Sequence, residues 1–228
     1  MKISVVIPVL NEQDSIGLVI KEIPRHMVDE IIVVDNGSAD NTIAVAQRTG
    51  ARVVKEEVRG YGAACLKGIA TAHGSDVIVF LDGDYSDYPD EMEKIIAPIL
   101  KGDADLVIGS RIAHTDGKNV LLPQAYWGNK LTTWLIKILY HHTYTDLGPF
   151  RAIRVHQLQK LDMQDKNYGW TVEMQIKAIK NRLTIVEVPV NYRKRIGKSK
   201  VTGTLSGTIK AGAKILYRVF LHKVPSHF

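Results

Sequence analysis

The run Val77-Ile78-Val79-Phe80-Leu81 is apolar at every position and shows no alternation with polar residues. A strand of that composition has to be covered on both faces, which places it inside a mainly parallel sheet with helices packed above and below. It ends in Asp82-Gly83-Asp84, so two acids one residue apart arrive at the carboxyl edge of that sheet. Open α/β sheets bind their ligands along this edge. Two carboxylates so close repel each other unless a cation such as Mg²⁺ or Mn²⁺ sits between them or against one of them. Taken alone, Asp-Gly-Asp also reads as an ordinary polar turn.

The surrounding sequence alternates strands and helices. Strands are expected at Ile3–Pro8, Glu30–Val34, Arg52–Lys55, Val77–Leu81 and Asp105–Gly109, with helices over Asn11–Ile23, Asp40–Thr49, Gly62–His73 and Asp90–Leu100. This rhythm predicts an α/β, doubly wound sheet. It breaks after Ser110-Arg111. Beyond that point the pattern gives a long helix over Ala125–Tyr140, rich in Trp, Leu and Ile, which a fold normally buries. A helix over Tyr168–Asn181, a strand over Thr184–Tyr192, a mobile basic loop over Arg193–Gly203 and an amphipathic helix over Leu205–Phe220 follow.

No repeat or linker divides the 228 residues, which suits one domain. The single cysteine, Cys65, excludes an internal disulfide framework and fits a reducing compartment. The opening segment lacks the layout of a secretory signal. No apolar run reaches the roughly 18 to 20 residues of a membrane span. The expectation is a cytoplasmic protein, with attachment to the inner membrane face left open. The net charge of +6 is concentrated near the end, in Arg193-Lys194-Arg195, Lys198, Lys200, Lys210, Lys214, Arg218 and Lys223. Aromatic residues are not interleaved with these bases as a nucleic-acid stacking platform requires, so phosphate groups or a membrane surface are the expected partners.

Other strand ends carry polar groups too. Pro8, Asn11 and Glu12 follow the first strand, and Asp35-Asn36-Gly37-Ser38 the second. Asp35 can accept hydrogen bonds from a nucleobase edge or cap its own turn. Gly60-Tyr61-Gly62 precedes a helix whose free N–H groups favour phosphate, although the glycines equally permit tight packing.

As an ordered set, Val5-Val6-Ile7-Pro8-Val9-Leu10-Asn11-Glu12, Val33 to Thr42, Gly60-Tyr61-Gly62, Asp82-Gly83-Asp84 and Gly109-Ser110-Arg111 resemble glycosyltransferase family 2, inverting enzymes of GT-A fold that use nucleotide-diphosphate sugars. Asp146-Leu147-Gly148-Pro149-Phe150-Arg151 and Arg195 to Lys200 are most similar to the dolichyl- and polyprenyl-phosphate sugar synthase branch. That branch usually has Ser-Gly where this chain has Gly148-Pro149, and Gln where it has Ser86.

The resemblance implies a nucleotide-sugar-binding half (1–112) and an acceptor-binding half (113–228). It implies Asp84 on a divalent cation with Asp82 beside it, and Ser86 or Asp87 as a third ligand. Pro8, Asn11, Glu12, Asp35 and Gly62 would then hold the donor nucleotide. Arg111, Arg151, Arg195 and Lys200 would hold donor or acceptor phosphates. Glu173 is a base if the acceptor is a hydroxyl; with a lipid phosphate it orients the donor or a basic residue. A UDP-sugar is the first donor expected and GDP-mannose the second, with a lipid phosphate or a small saccharide as acceptor. Tyr126, Trp127 and Trp134 have the character of membrane-interface residues. Two other classes compete. A phosphoreceiver module built on Asp35 leaves Asp82-Gly83-Asp84 unexplained, and a catalytically silent sugar-nucleotide binder shares the same binding groups.

Overall fold

The computed structural model describes residues 1–113, 121–197 and 205–221, with side chains from residue 212 onward in the last span. Seven strands form one sheet: β1 (Ile3–Val9), β2 (Glu30–Asp35), β3 (Arg52–Lys55), β4 (Val77–Phe80), β5 (Leu106–Ser110), β6 (Arg151–Arg154) and β7 (Ile185–Pro189). Their order is β3-β2-β1-β4-β6-β5-β7. Every pairing is parallel except those of β6, which runs antiparallel between β4 and β5.

The alternation of side chains along β1 splits the core in two. Ile3, Val5, Ile7 and Val9 face one side, against α1 (Ile16–Glu22) and α4 (Met92–Lys101). Val6 faces the other with Ile32, Ile78 and Phe80, against α3 (Tyr61–Thr71) and α7 (Trp170–Lys180). All four residues of β4 are fully buried, as the unbroken apolar run requires. Helix α2 (Thr42–Arg48) links β2 to β3, and α6 (Val155–Leu161) follows β6 directly. Helix α3 approaches β1 closely because its contact face is small: a Cβ at Gly68 would overlap Val6.

Strand β6 and helix α6 were not expected from the sequence. Arg151-Ala152-Ile153-Arg154 is short and arginine-flanked, and its strand identity comes from the two neighbours that clasp it. Strands and helices from the 113–228 span share this sheet and its cores, so both halves contribute to one body.

The remaining long helices are α5 (Pro123–Tyr140) and α8 (Leu205–Leu221). They pack on each other, and the Tyr140 hydroxyl donates to the Val219 carbonyl at 2.5 Å. The core position expected for α5 does not hold. Its buried residues are Asn129, Thr132, Thr133 and Ile136, while Trp127 is 70% and Trp134 56% exposed. Among the described residues, no helix is long and apolar enough to cross a membrane.

Candidate active site

Three parallel strands end side by side, and their exits build a cavity of about 460 Å³. Pro8, Val9, Leu10 and Glu12 contribute from the β1 exit, Asn36 from β2, and Asp82, Gly83 and Asp84 from β4. Arg59, Gly60, Tyr61 and Ala64 close one side, while Asn167, Tyr168 and Arg195 reach in from the second half of the chain.

The acids dominate its chemistry. The Tyr61 hydroxyl donates to Asp82 Oδ1 at 3.0 Å. Burial, and next the adjacent Asp84 charge, push the Asp82 carboxyl up to about 7. Asp84 accepts the Ser86 backbone N–H at 2.9 Å on Oδ1, and its Oδ2 pairs with Arg195 at 3.0 Å. Arg195 also reaches Glu12 at 3.4 Å. Behind them Asp87 is buried, and neither of its carboxylate oxygens has a hydrogen-bond partner. Burial, Asp82 and Asp84 together hold its pKa well above the carboxylate range.

Burial and mutual repulsion thus push Asp82 and Asp87 toward their neutral forms, a tendency that a cation against them would relieve. No three His, Cys, Asp or Glu side chains converge into a ready-made metal cage among the described residues. Mg²⁺ typically takes only one or two carboxylates and completes its shell with substrate phosphate and water. The hard oxygens of Asp82 and Asp84 fit such an ion.

Arg195 lies on a basic segment that is docked rather than free. The Arg193 N–H donates to the Ser86 carbonyl and the Ile196 N–H to the Asp84 carbonyl, both at 2.9 Å, and Tyr192 forms a β-bridge to Asp87. The Arg193 guanidinium bonds Glu22 at 2.6 Å and stacks on the Tyr85 ring, 3.3 Å from its centroid. The expected mobile loop is thus pinned along residues 192–196. Lys200 and the rest of that loop to 203 lie outside the described residues.

Several expected ligands sit elsewhere. Asp35 closes its own turn, accepting from the Gly37 and Ser38 N–H groups at 3.1 and 3.2 Å. Asn11, at φ +53°, accepts the Ala39 N–H at 2.8 Å, which ties the first strand exit to the second. Gly62 serves close packing: a Cβ there would overlap the Asp165 carbonyl oxygen. The neighbouring Ala63 N–H is taken by the Lys166 carbonyl at 3.0 Å. The start of α3 is therefore partly capped by protein rather than left open for phosphate.

Arg111 grips Asp146 through two hydrogen bonds of 2.8 Å, and that pair is nearly dry. Arg151 is fully buried. Its guanidinium donates to the Gly148, Leu147 and Thr171 carbonyls at 3.0 to 3.1 Å. The phosphate-binding role expected of Arg151 does not hold here, because its donors are spent on backbone and its position is closed to ligand.

Glu173 is likewise a correction as a base. It has no exposed surface, and its oxygens accept the Gln164 and Asp165 N–H groups at 3.0 and 2.6 Å while pairing with Lys177 at 2.8 Å. It holds the loop that presents Asn167 and Tyr168 to the cavity, so it is a positioning residue. Glu173→Gln is expected to raise KM for the donor several-fold and to leave the shape of the kcat–pH profile unchanged. Loss of one limb of that profile would restore the base.

Asn36, Arg59, Asn167 and Tyr168 were missed as cavity residues. Asn36 lies inside the Asp35–Ser38 segment and Arg59 directly precedes Gly60-Tyr61-Gly62, and they meet directly: Arg59 donates to the Asn36 carbonyl at 2.7 Å. Asn36 Oδ1 accepts the Gly60 N–H at 2.7 Å. No sequence signal marks Asn167 and Tyr168, which tertiary contacts alone bring to the cavity.

Residues 4–162 match the family model described as Glycosyl transferase family 2. The chain belongs to that family. An uncharacterised glycosyltransferase of Mycobacterium tuberculosis is 35% identical over 92% of this chain and 94% of its own. A UDP-N-acetylglucosamine–dolichyl-phosphate N-acetylglucosaminyltransferase of Methanococcus voltae is 30% identical over 97% and 96%. Among solved structures, glucosyl-3-phosphoglycerate synthase from Mycobacterium tuberculosis in complex with UDP superposes with a TM-score of 0.77. It is 25% identical, over 99% of this chain and 82% of that one. The same synthase has also been crystallised with Mg²⁺ and UDP. This family 2 glycosyltransferase thus shares its mixed α/β sheet with enzymes of GT-A fold.

Proposed function

We propose that this glycosyltransferase moves a hexose from a nucleoside-diphosphate sugar to a polyprenyl phosphate, with inversion and with a divalent cation at Asp82 and Asp84. A UDP-sugar is the first donor to test, given the UDP held by the structural neighbour, and GDP-mannose is the second. The lipid-phosphate acceptor follows the Methanococcus relative and one observation, the engagement of both Glu173 oxygens away from the cavity. A hydroxyl acceptor needs a base to take its proton. A phosphate monoester, with a second pKa near 6, is already largely anionic and needs none.

In this reading Pro8, Leu10 and Asn36 form the nucleotide end of the cavity, and Arg59 and Arg195 face the diphosphate. An oxygen of the acceptor phosphate attacks the anomeric carbon as the bond to the donor diphosphate breaks, and the nucleoside diphosphate leaves with the electron pair. Asp82 and Asp84 would hold a divalent ion there, and it would supply neutralisation of the charge that gathers on that leaving group. Arg195 trades its contact with Asp84 for the diphosphate.

The test incubates the enzyme with radiolabelled UDP-glucose, UDP-N-acetylglucosamine or GDP-mannose and a polyprenyl phosphate, with Mg²⁺, Mn²⁺ or EDTA. Label is expected in the lipid phase with one donor, only with the acceptor and a metal. Transfer to a saccharide hydroxyl instead, or undiminished transfer in EDTA, rejects the reading.

A further inference from the structure

Residues 162–169 belong to no helix or strand, yet their course is fixed from several sides. Glu173 and Asp165, both without exposed surface, accept backbone N–H groups of this segment. Glu173 takes those of Gln164 and Asp165, and Asp165 Oδ1 takes that of Asn167 at 2.6 Å. On the side of α3, the Lys166 carbonyl holds the Ala63 N–H. A further hold comes from the last helix. Arg218 Nε of α8 meets Asp165 Oδ2 at 2.5 Å, and Lys214 Nζ lies 3.6 Å from the same oxygen. A Cβ at Gly169 would overlap both Asp165 Oδ2 and Arg218 Cγ, so the arginine stem lies directly against the turn into α7.

Burial alone would raise the Asp165 carboxyl, but the Asn167 N–H, Arg218 and Lys214 outweigh burial and hold it below its ordinary value. Buried ions are a costly means of fixing a loop, and apolar packing does so without that desolvation. What ions and hydrogen bonds add is direction, which matters where the held side chains must meet a ligand to within about half an ångström. Two such side chains follow, since Asn167 and Tyr168 both line the cavity. An amide and a phenol each donate and accept without carrying charge. A diphosphate only accepts and calls for cations, which Arg59 and Arg195 provide elsewhere on the wall. Sugar hydroxyls both donate and accept, and they match Asn167 and Tyr168.

We propose that Arg218 is a positioning residue for the donor hexose: through Asp165 it sets the Asn167–Tyr168 wall, and that wall reads the hexose hydroxyls. This role rests on the nucleotide-sugar donor proposed above and names the residues that select its sugar. Arg218 itself stays outside the cavity and acts only through the loop it braces. A wall built to bond hydroxyls discriminates strongly, because a hexose with one missing leaves the wall's polar groups unpaired.

The experiment measures binding of matched pairs to the whole chain by calorimetry in Mg²⁺: UDP with UDP-glucose or UDP-N-acetylglucosamine, and GDP with GDP-mannose. The free nucleotide lacks the hexose, so the ratio of the two dissociation constants isolates what the wall contributes. Arg218→Met keeps an unbranched stem, and Lys214 still stands beside Asp165, so this variant is expected to fold. It should weaken the sugar nucleotide about tenfold, the worth of one or two hydrogen bonds, and leave the free nucleotide within about twofold. Tyr168→Phe, which leaves the Asp165–Arg218 pair in place, should shift the same ratio in the same direction. Equal weakening of both members of a pair would mean a structural role only. An unchanged ratio in either variant would mean that the wall does not read the hexose, and each of these results overturns the proposal. A parent chain that binds none of the sugar nucleotides rejects the donor reading itself, and this role with it.

Discussion

Asp84→Ala is expected to lower kcat/KM about a thousandfold at saturating Mg²⁺ or Mn²⁺, an effect of about 4 kcal/mol, within the range a Lewis acid supplies to a departing diphosphate. The residue stands at the exit of a fully buried strand, with one oxygen taken by the Ser86 N–H and the other by Arg195. Removing it cuts both the charge that would hold a cation and the contact that stations Arg195 over the cavity. Fold loss is the competing explanation for a dead variant, and Asp84→Asn excludes it. The amide keeps the side-chain size and an acceptor for Ser86, so only about 1 kcal/mol of stability is at stake. Both variants should melt near the parent temperature and lose the additional UDP stabilisation that a divalent ion confers. Transfer within tenfold of the parent at saturating metal would show that the charge of Asp84 is dispensable.

How far the sequence carried depended on whether a feature was local. The apolar runs of β1, β2 and β4 and the acids at their ends are local, and they placed the sheet and the edge at which the cavity opens. Pro8, Glu12, Asp82, Asp84 and Arg195 all line the cavity. Misreadings arose where a side chain's role depends on distant partners. Arg151 reads as a phosphate ligand because arginine forks suit phosphate, yet the strand it opens is clamped between β4 and β5, and three carbonyls consume its donors. Glu173 reads as a base until the 164–165 backbone folds over it. For Gly60 and Gly62 the decision between phosphate and packing went to packing, because the 165–166 backbone lies where a Cβ would be. Composition marked α5 as rich in Trp, Leu and Ile, but only the neighbouring elements determine that Trp127 and Trp134 point outward.

Asp146→Ala should produce the largest loss of stability among the site-adjacent substitutions. Asp146 is fully buried and answers the Arg111 guanidinium through both oxygens; it also accepts the Arg111 N–H at 2.9 Å and the Leu147 N–H at 2.7 Å. Truncation leaves a largely buried cation and the Arg111 N–H without their acceptor, while the Leu147 N–H keeps Asn129 Oδ1 at 2.9 Å; losing one partner of a buried pair typically costs about 3–5 kcal/mol. At about 2–4 °C per kcal/mol for a domain of this size, the melting temperature should fall by roughly 10 °C. The pH dependence gives a second readout. Burial alone would raise the Asp146 carboxyl, but the Arg111 charge and the hydrogen bonds it accepts outweigh burial and hold it below its ordinary value. A depressed folded pKa means that the carboxylate stabilises the protein at pH values above its unfolded pKa, about 3.9. That stabilisation fades as the pH falls toward the folded value. The parent should therefore lose stability steeply below about pH 4. In Asp146→Ala, thermal melts across pH 2 to 7 should show a shallower acid limb beginning from an already lower plateau. A variant as stable as the parent at pH 7 would mean that the Arg111–Asp146 clasp contributes nothing to holding the loop from Asp146 to Arg151 against the sheet.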